Sequence, residues 1–227
     1  MVSRISIIIP AYNEEKSIGL VLKALPQRII HEIIVVDNNS TDDTARVALE
    51  HGARVVKEPR QGYGSACLRG IKELNAPDIV VFLDGDFSDF PEEIVSLIAP
   101  IEKNDEDFVL GSRMILPQSQ LALLPQARYG NRLAVFLIRL FFKHKFTDLG
   151  PFRAIRYSSL MSIAMQDMDF GWTVEMQIKA VRNGLRIREV PVNYRKRVGI
   201  SKITGTVSGT FRAGTKIIYT IFKYLLL

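Results

Sequence analysis

The sequence is poor in the features that announce several common protein classes. Among 227 residues it has one cysteine, Cys67, which excludes an internal disulfide framework and a zinc site built on paired thiolates, and points to a reducing compartment. No stretch approaches the ~18 uninterrupted apolar residues of a membrane-spanning helix. The opening MVSRISIIIPAYNEE has an apolar run too short for a secretory leader and passes straight into polar residues. Glycine-rich phosphate loops are missing too. Gly62-Tyr63-Gly64-Ser65 lacks the third glycine of a dinucleotide fingerprint, and no Gly-Lys-Ser/Thr follows it. The first strand-to-helix turn, Pro10-Ala11-Tyr12-Asn13, is not glycine-rich either. A Rossmann dehydrogenase and a P-loop NTPase therefore fit badly. Internal repeats, low-complexity tracts and an aromatic-and-arginine strand platform for RNA are absent as well, so nucleic acid is not an expected partner.

What the chain does have is apolar mass and a lopsided charge. With 47% apolar and 24% charged residues it can bury a core, as one large domain or a domain with an appendage. The formal net charge of +6 hides an asymmetry: residues 1–110 carry 11 Lys and Arg against 19 Asp and Glu, whereas residues 111–227 carry 19 against 5. An acidic half suits a bound cation. A basic half suits an anionic partner such as nucleic acid, anionic lipid or a phosphorylated substrate. Mutual neutralisation of the two halves across a shared core is the plainer alternative.

Strand and helix patterns alternate through the first half. Arg4–Ile9 is a β-branched run ended by Pro10, and Ser17–Leu25 carries helical apolar spacing. A strand over Glu32–Asp37, a helix over about Thr41–His51 and a strand over Arg54–Lys57 follow. A helix over about Tyr63–Leu74, a strand over Asp78–Leu83, a helix over Pro91–Lys103 and a strand over Phe108–Gly111 complete the half. Such a series reads as βαβ units on a parallel sheet. Ligands of these sheets sit at the carboxyl ends of strands, here Pro10–Glu14, Asp37–Ser40, Arg60–Ser65 and Asp84–Ser88. The second half is predicted to hold a loop over Pro117–Gln126, a long helix over Gln126–Lys145 and a helix over Thr173–Asn183. A strand over Leu185–Val192, a basic segment over Arg195–Gly205 and a last helix to Leu227 follow.

Two strand ends carry chemistry. Asp84-Gly85-Asp86 follows the apolar run VVFL, and two carboxylates so spaced can share a hard divalent cation while the glycine permits a tight backbone. A solvated turn is the plainer reading of the same tripeptide. Asp37 can accept a hydrogen bond from a uracil or guanine ring N–H, or the stretch Asp37–Asp42 is a turn and helix cap. Asp89 is expected to cap or charge the first turn of the helix at Pro91.

In this order, SIIIPAYNEE, IIVVDNNSTDDT, GYGSACLRGI, VVFLDGDFSDFPEEI and VLGSRM resemble inverting glycosyltransferases of family 2. Downstream, TDLGPFRAIR, GWTVEMQIKAVRNGLRIREVPVNYR and RVGISKITG are similar to the branch containing polyprenol-phosphate sugar synthases. The resemblance covers nearly the whole chain. It implies the GT-A fold, an α/β architecture with a Rossmann-like, mostly parallel sheet flanked by helices and followed by amphipathic interfacial helices. A catalytic domain over 1–205 would divide into a nucleotide-sugar half, 1–111, and an acceptor half, 112–205. Residues 206–227 would form a C-terminal amphipathic helix. The implied donor is a UDP- or GDP-hexose, the acceptor a dolichyl or undecaprenyl phosphate, the cofactor Mg²⁺ or Mn²⁺, and the place the cytoplasmic face of a membrane.

Carried over by position, Pro10, Ala11, Tyr12, Glu14, Asn39, Gly64 and Gly85 would line the nucleotide-sugar pocket, with Asp37 reading the base. Asp84 and Asp86 would be the metal pair, Asp86 the more direct ligand, and Ser88 stands where some relatives carry a Gln ligand. Arg113, with Arg128 and Arg132, would face the acceptor phosphate. Arg197, Ser201 and Lys202 would close over the donor diphosphate.

The residue chemistry agrees with that assignment. A leaving diphosphate needs its growing charge neutralised, a role for metal on Asp86 and for Arg197 and Lys202, with Arg113 catalytic at the acceptor phosphate. A hydroxyl acceptor needs a general base. Many relatives acting on hydroxyls carry a Glu-Asp pair at a helix start, whereas this chain has Asp169-Phe-Gly-Trp-Thr-Val-Glu175. A phosphate acceptor is already ionised and needs only positioning. Glu175 is then expected to order an arginine or the segment around Asp148, with a base role as the alternative. Asp148 either orients the sugar, anchors Arg153 or stabilises its turn by an ion pair. Trp172 either stacks on a sugar or belongs to the core. Transfer to a hydroxyl of a soluble or glycan acceptor is a second reading, and a non-catalytic anion- or lipid-binding module a third.

The two long helices of the second half bear on the membrane. Arg128, Arg132, Arg139 and Lys143 share one predicted helix face, and Arg212, Lys216 and Lys223 line up beside Phe211, Ile218, Phe222 and Leu225. Such helices suit a lipid interface, or they pack on the sheet with their arginines at the rim or in the site. The tail IIYTIFKYLLL is too short to span a bilayer. It suits the interface, a second copy or a membrane-protein partner.

Overall fold

The computed structural model describes residues 3–199 and 207–226. One sheet organises them, with strand order β3-β2-β1-β4-β6-β5-β7. Its strands are β1 (Ile5–Ala11), β2 (Glu32–Asp37), β3 (Arg54–Lys57), β4 (Ile79–Phe82), β5 (Phe108–Ser112), β6 (Arg153–Arg156) and β7 (Ile187–Pro191). The first four are mutually parallel, β5 and β7 are parallel to each other, and β6 runs antiparallel between β4 and β5. The helices are α1 (Ile18–Ala24), α2 (Thr44–Glu50), α3 (Tyr63–Lys72), α4 (Ile94–Glu102), α5 (Pro117–Ala122), α6 (Pro125–Phe142), α7 (Tyr157–Ile163), α8 (Trp172–Arg182) and α9 (Val207–Leu226).

The continuous apolar runs of the central strands reflect burial on both faces. Side chains alternate across a strand, so Ile8, Val80 and Phe82 join one core with Cys67, Trp172, Ile221 and Tyr224. Ile7, Ile9 and Val81 join the other with Ile18, Leu22, Ala48 and Leu97. Trp172 is fully buried with its ring 4.6 Å from that of Phe82, which assigns it to the core. The chain steps outward from β1 through β2 to β3 and then returns to place β4 on the other side of β1. That reversal opens a crevice at the carboxyl ends of β1 and β4, where open α/β sheets bind ligands.

Four expectations change. β6 and α7 lie where no element is predicted, while the sheet stays mostly parallel as expected, with β6 antiparallel to its two neighbours. The predicted loop 117–126 contains α5, started by Pro117 at a first-turn position where a missing N–H is harmless. Helix α6 ends at Phe142, and Lys143 turns out of it with φ +57, so Lys143 leaves the expected cationic stripe. The exposed side of α6 carries Tyr129, Leu133, Phe136 and Leu140, spaced as one helix face, with Arg132 and Arg139 exposed beside them. Finally, α9 is part of the domain: Thr220, Ile221 and Tyr224 are buried, and Phe222 packs 5.5 Å from Phe141 of α6. No helix among the described residues is long and apolar enough to cross a membrane.

Candidate active site

A cavity of about 330 Å³ occupies the crevice between the ends of β1 and β4. Pro10, Ala11, Tyr12 and Glu14 enter it from β1, and Asp84, Gly85 and Asp86 from β4. The start of α3 adds Gln61, Gly62 and Tyr63, the loop before α8 adds Asp169 and Phe170, and Arg197 and Arg212 complete the wall. Eight residues of the predicted set are therefore brought together here: Pro10, Ala11, Tyr12, Glu14, Asp84, Gly85, Asp86 and Arg197.

The carboxylate pair is asymmetric. Asp86 is buried; its Oδ1 accepts from the Ser88 backbone N–H at 2.9 Å and from the Ser88 hydroxyl at 2.5 Å, and its Oδ2 lies 3.3 Å from Arg197. Ser88 thus orients Asp86. The Oδ1 of Asp84 is buried with no partner. Burial, and then the neighbouring Asp86, push the Asp84 carboxyl upward. An orphaned carboxylate oxygen beside a second carboxylate fits a hard divalent ion such as Mg²⁺ or Mn²⁺. Among the described residues no third acidic, His or Cys ligand joins the pair, which leaves coordination positions for substrate phosphates. Gly85 is not needed for backbone reasons: an added Cβ would stand 3.5 Å from its nearest neighbours, an ordinary contact. The residue with left-handed backbone in this turn is Phe87, at φ +59.

Arg197 bridges two walls, pairing with Glu14 from β1 and Asp86 from β4. Ser201 and Lys202, predicted to act beside it, lie outside the described residues.

Other predicted residues stand apart from the cavity lining. Asp37 and Asn39 border a separate groove of about 110 Å³ with Lys57 and Glu58, and Asp37 accepts the Ser40 backbone N–H at 3.0 Å. Asn38 between them faces the main cavity. Gly64 packs where a Cβ would lie 2.1 Å from the Asp167 carbonyl oxygen. This close approach lets the Ser65 backbone N–H reach the Met168 carbonyl at 2.9 Å, fixing the loop that carries Asp169 and Phe170. Arg128 is half-buried and Arg132 exposed on α6.

Of three acidic residues, Asp148 takes the ion-pair alternative, while Glu175 and Asp89 behave differently from expectation. Asp148 binds Arg113, not Arg153, whose Nη atoms donate to the Thr173, Leu149 and Gly150 carbonyls. Glu175 is fully buried and accepts from the Gln166 and Asp167 backbone N–H groups, Lys179 and the Tyr224 hydroxyl. It orders the loop before α8 and docks α9, not the segment around Asp148. Asp89 caps nothing; it is buried, neither carboxylate oxygen has a partner, and burial holds it well above the ordinary carboxylate range.

Two cations of α9 reach the site side of the protein, one half-buried and one exposed. Lys216 pairs with Asp167 at 2.9 Å, and Arg212 lines the cavity. Gln61 falls in the strand-end segment 60–65 expected to bind ligand, whereas Arg212, Asp169 and Phe170 were not assigned to the pocket from sequence, because only tertiary packing brings them to the ends of β1 and β4. For Arg212, its place on a cationic helix stripe is the one sequence signal.

Comparisons with known proteins agree with this architecture. A glycosyltransferase of Mycobacterium tuberculosis is 36% identical over 210 residues, 92% of this chain and 94% of that protein. The undecaprenyl-phosphate mannosyltransferase of Micrococcus luteus is 30% identical over 221 residues, covering 91% of this chain and 90% of the other. Among solved structures, glucosyl-3-phosphoglycerate synthase from Mycobacterium tuberculosis, with Mn²⁺, UDP-glucose and phosphoglyceric acid, superposes with a TM-score of 0.79 at 23% identity. The match covers 99% of this chain and 80% of that one. The fold is therefore GT-A. The profile described as Glycosyl transferase family 2 matches residues 6–163, and on this ground the chain belongs to glycosyl transferase family 2 and is a glycosyltransferase.

Proposed function

We propose that the chain transfers a hexose, with inversion, from a UDP- or GDP-sugar to a polyprenyl phosphate at the cytoplasmic face of a membrane, with Asp84 and Asp86 holding Mg²⁺ or Mn²⁺. The observation that carries this reading is the double character of α9. Arg212 of that helix lines the cavity, while Phe211, Tyr219, Phe222 and Leu226 of the same helix are exposed. One helix thus offers a cation for an acceptor phosphate and an apolar surface for lipid. The name of the Micrococcus luteus relative supports the acceptor class.

In this reading Tyr12, Glu14 and Asn38 receive the nucleoside, and residues 1–111 serve the donor. A bound divalent ion supplies positive charge to the leaving diphosphate. Arg197 leaves its partners Glu14 and Asp86 to meet the same charge. Among the described residues Arg212 has no ion-pair partner, which frees it for the acceptor phosphate. Arg113 has its charge committed to Asp148 and acts by holding the wall behind the metal turn. An ionised phosphate attacks without deprotonation, so no general base is required. Residues 112–205, apart from Arg197 at the donor diphosphate, then serve the acceptor, with α9 as a wall of the site.

A second reading, transfer to a hydroxyl, has one observation in its favour: Asp169 lines the cavity and offers a carboxylate that could serve as base. Incubation with UDP- and GDP-hexoses, Mg²⁺ or Mn²⁺, and either short-chain polyprenyl phosphate or phosphoglycerate separates the two. Product on the prenyl phosphate supports the first, and product on the phosphoglycerate hydroxyl the second.

A further inference from the structure

The turn that carries Asp86 is gripped from outside by one short segment. The backbone N–H of Arg195 donates to the Ser88 carbonyl at 2.9 Å, its Nε–H to the Phe87 carbonyl at 2.9 Å and its Nη2–H to the Asp89 carbonyl at 3.1 Å. The Val198 N–H takes the Asp86 carbonyl at 3.0 Å. Four successive carbonyls of the metal turn are therefore held by residues 195–198. The Arg195 guanidinium also lies over two rings, its Cζ 3.7 Å from the centroid of Phe87 and 4.0 Å from that of Phe90. Phe87 is the residue forced to φ +59, a conformation that disfavours a side chain. Arg197, two residues along the same segment, reaches Glu14 and Asp86.

We propose that Arg195 is a positioning residue: it holds Phe87 in its left-handed conformation, so that Asp86 points into the cavity, and it ties the metal turn to the segment carrying Arg197. Metal binding and the placement of Arg197 are thereby coupled. Arginine suits the task because a planar fork can donate along its edge to several carbonyls while the same group sits over aromatic rings, which a compact ammonium cannot do. The segment has a second anchor independent of Arg195, since the Asn193 backbone N–H and Nδ2 donate to Glu93. This inference rests on the reading of Asp84 and Asp86 as the metal pair.

The test measures binding rather than turnover, on the full chain: Mn²⁺ affinity by electron paramagnetic resonance, with and without UDP or GDP, and nucleotide affinity with and without Mn²⁺. In the unaltered protein each ligand strengthens the other by the same factor, as linkage requires. Arg195→Ala is expected to weaken Mn²⁺ binding by about 10-fold or more and to shrink the mutual strengthening toward none. Arg195→Lys keeps the charge and is expected to fall close to Arg195→Ala. Adding Phe87→Gly to Arg195→Ala is expected to recover part of the Mn²⁺ affinity, because glycine adopts a positive φ freely. Wild-type Mn²⁺ affinity and coupling in Arg195→Ala, or in a fully folded Arg195→Lys should the alanine variant not fold, overturns the proposal. Unchanged Mn²⁺ affinity in Asp86→Ala would overturn the metal reading instead.

Discussion

Arg113 and the fully buried Asp148 form a two-point ion pair, Nε to Oδ2 and Nη2 to Oδ1, both at 2.8 Å. The Arg113 and Leu149 backbone N–H groups add two more hydrogen bonds to the same carboxylate. Burial raises the Asp148 pKa, but Arg113 and these donors outweigh it and hold the value below the ordinary carboxylate range. Arg113→Ala strands a buried charge and should destabilise the protein by about 3–5 kcal/mol, measured by urea unfolding at pH 7. Because the native pKa is depressed, the stabilisation is present above the ordinary carboxylate range and is lost as pH falls through the native value. The difference between Arg113→Ala and the unaltered protein should therefore narrow in strong acid.

Asp84 carries the opposite shift, with its pKa raised to about 7 by burial first and Asp86 second. A metal ion requires the ionised carboxylate. Mn²⁺ affinity should therefore rise with pH through that value, and Asp84→Asn should flatten the slope. Asp86→Ala should lower sugar transfer by about 10³-fold or more, since the charge on the leaving diphosphate loses its main offset. Titration of Mn²⁺ binding at several pH values checks the first two statements, and a donor-consumption assay the third.

Glu175 and Asp169 divide the roles that the sequence leaves together at the start of α8. Glu175, buried under four donors, is structural, and Glu175→Gln should cost about 1–3 kcal/mol of stability and loosen α9 through Tyr224. Asp169→Asn discriminates between acceptors. Transfer to a hydroxyl should fall by about 10²-fold or more, whereas transfer to a phosphate should change little. Unfolding curves and the two acceptor assays read these out.

The exposed face of α6 should attach to lipid. Phe136 and Leu140 are 59% and 57% exposed, with Arg132 and Arg139 beside them. In flotation with vesicles containing anionic lipid, the unaltered protein should rise with the vesicles, and high salt should weaken but not abolish this. Phe136→Glu with Leu140→Glu should leave the protein at the bottom of the gradient with an unchanged circular dichroism spectrum.

Local chemistry made part of this molecule legible in its sequence. Glu32–Asp37 and Arg54–Lys57 are strands with the predicted bounds, because β-branched runs between polar turns leave few other choices. The turns at Pro10–Glu14 and Asp84–Asp86 follow directly from such strands, so their place at the cavity was readable. β6 was not, because Arg153-Ala-Ile-Arg156 carries a charge at each end, and only the fold shows that Arg153 is buried with its cation held by carbonyl groups. Arg212, Asp169 and the grip of Arg195 on residues 87–89 depend on contacts across long stretches of chain, which no local pattern encodes. The cationic stripe of α9 is visible in the sequence, but its contacts are not: Lys216 pairs with Asp167, and Arg212 lines the cavity while staying exposed.

Transfer of a sugar from a nucleotide to a lipid-linked phosphate under control of the Asp84–Asp86 pair is open to direct test. Its most direct measurement incubates the protein with radiolabelled UDP- and GDP-hexoses, Mn²⁺ and a short-chain polyprenyl phosphate, and follows the label into an organic phase. The prediction is that label from one donor enters the organic phase, survives mild base treatment as a prenyl-phosphate sugar, and is absent with Asp86→Ala. Label that leaves the nucleotide but stays entirely in water, with the prenyl phosphate present and the protein folded, would contradict it.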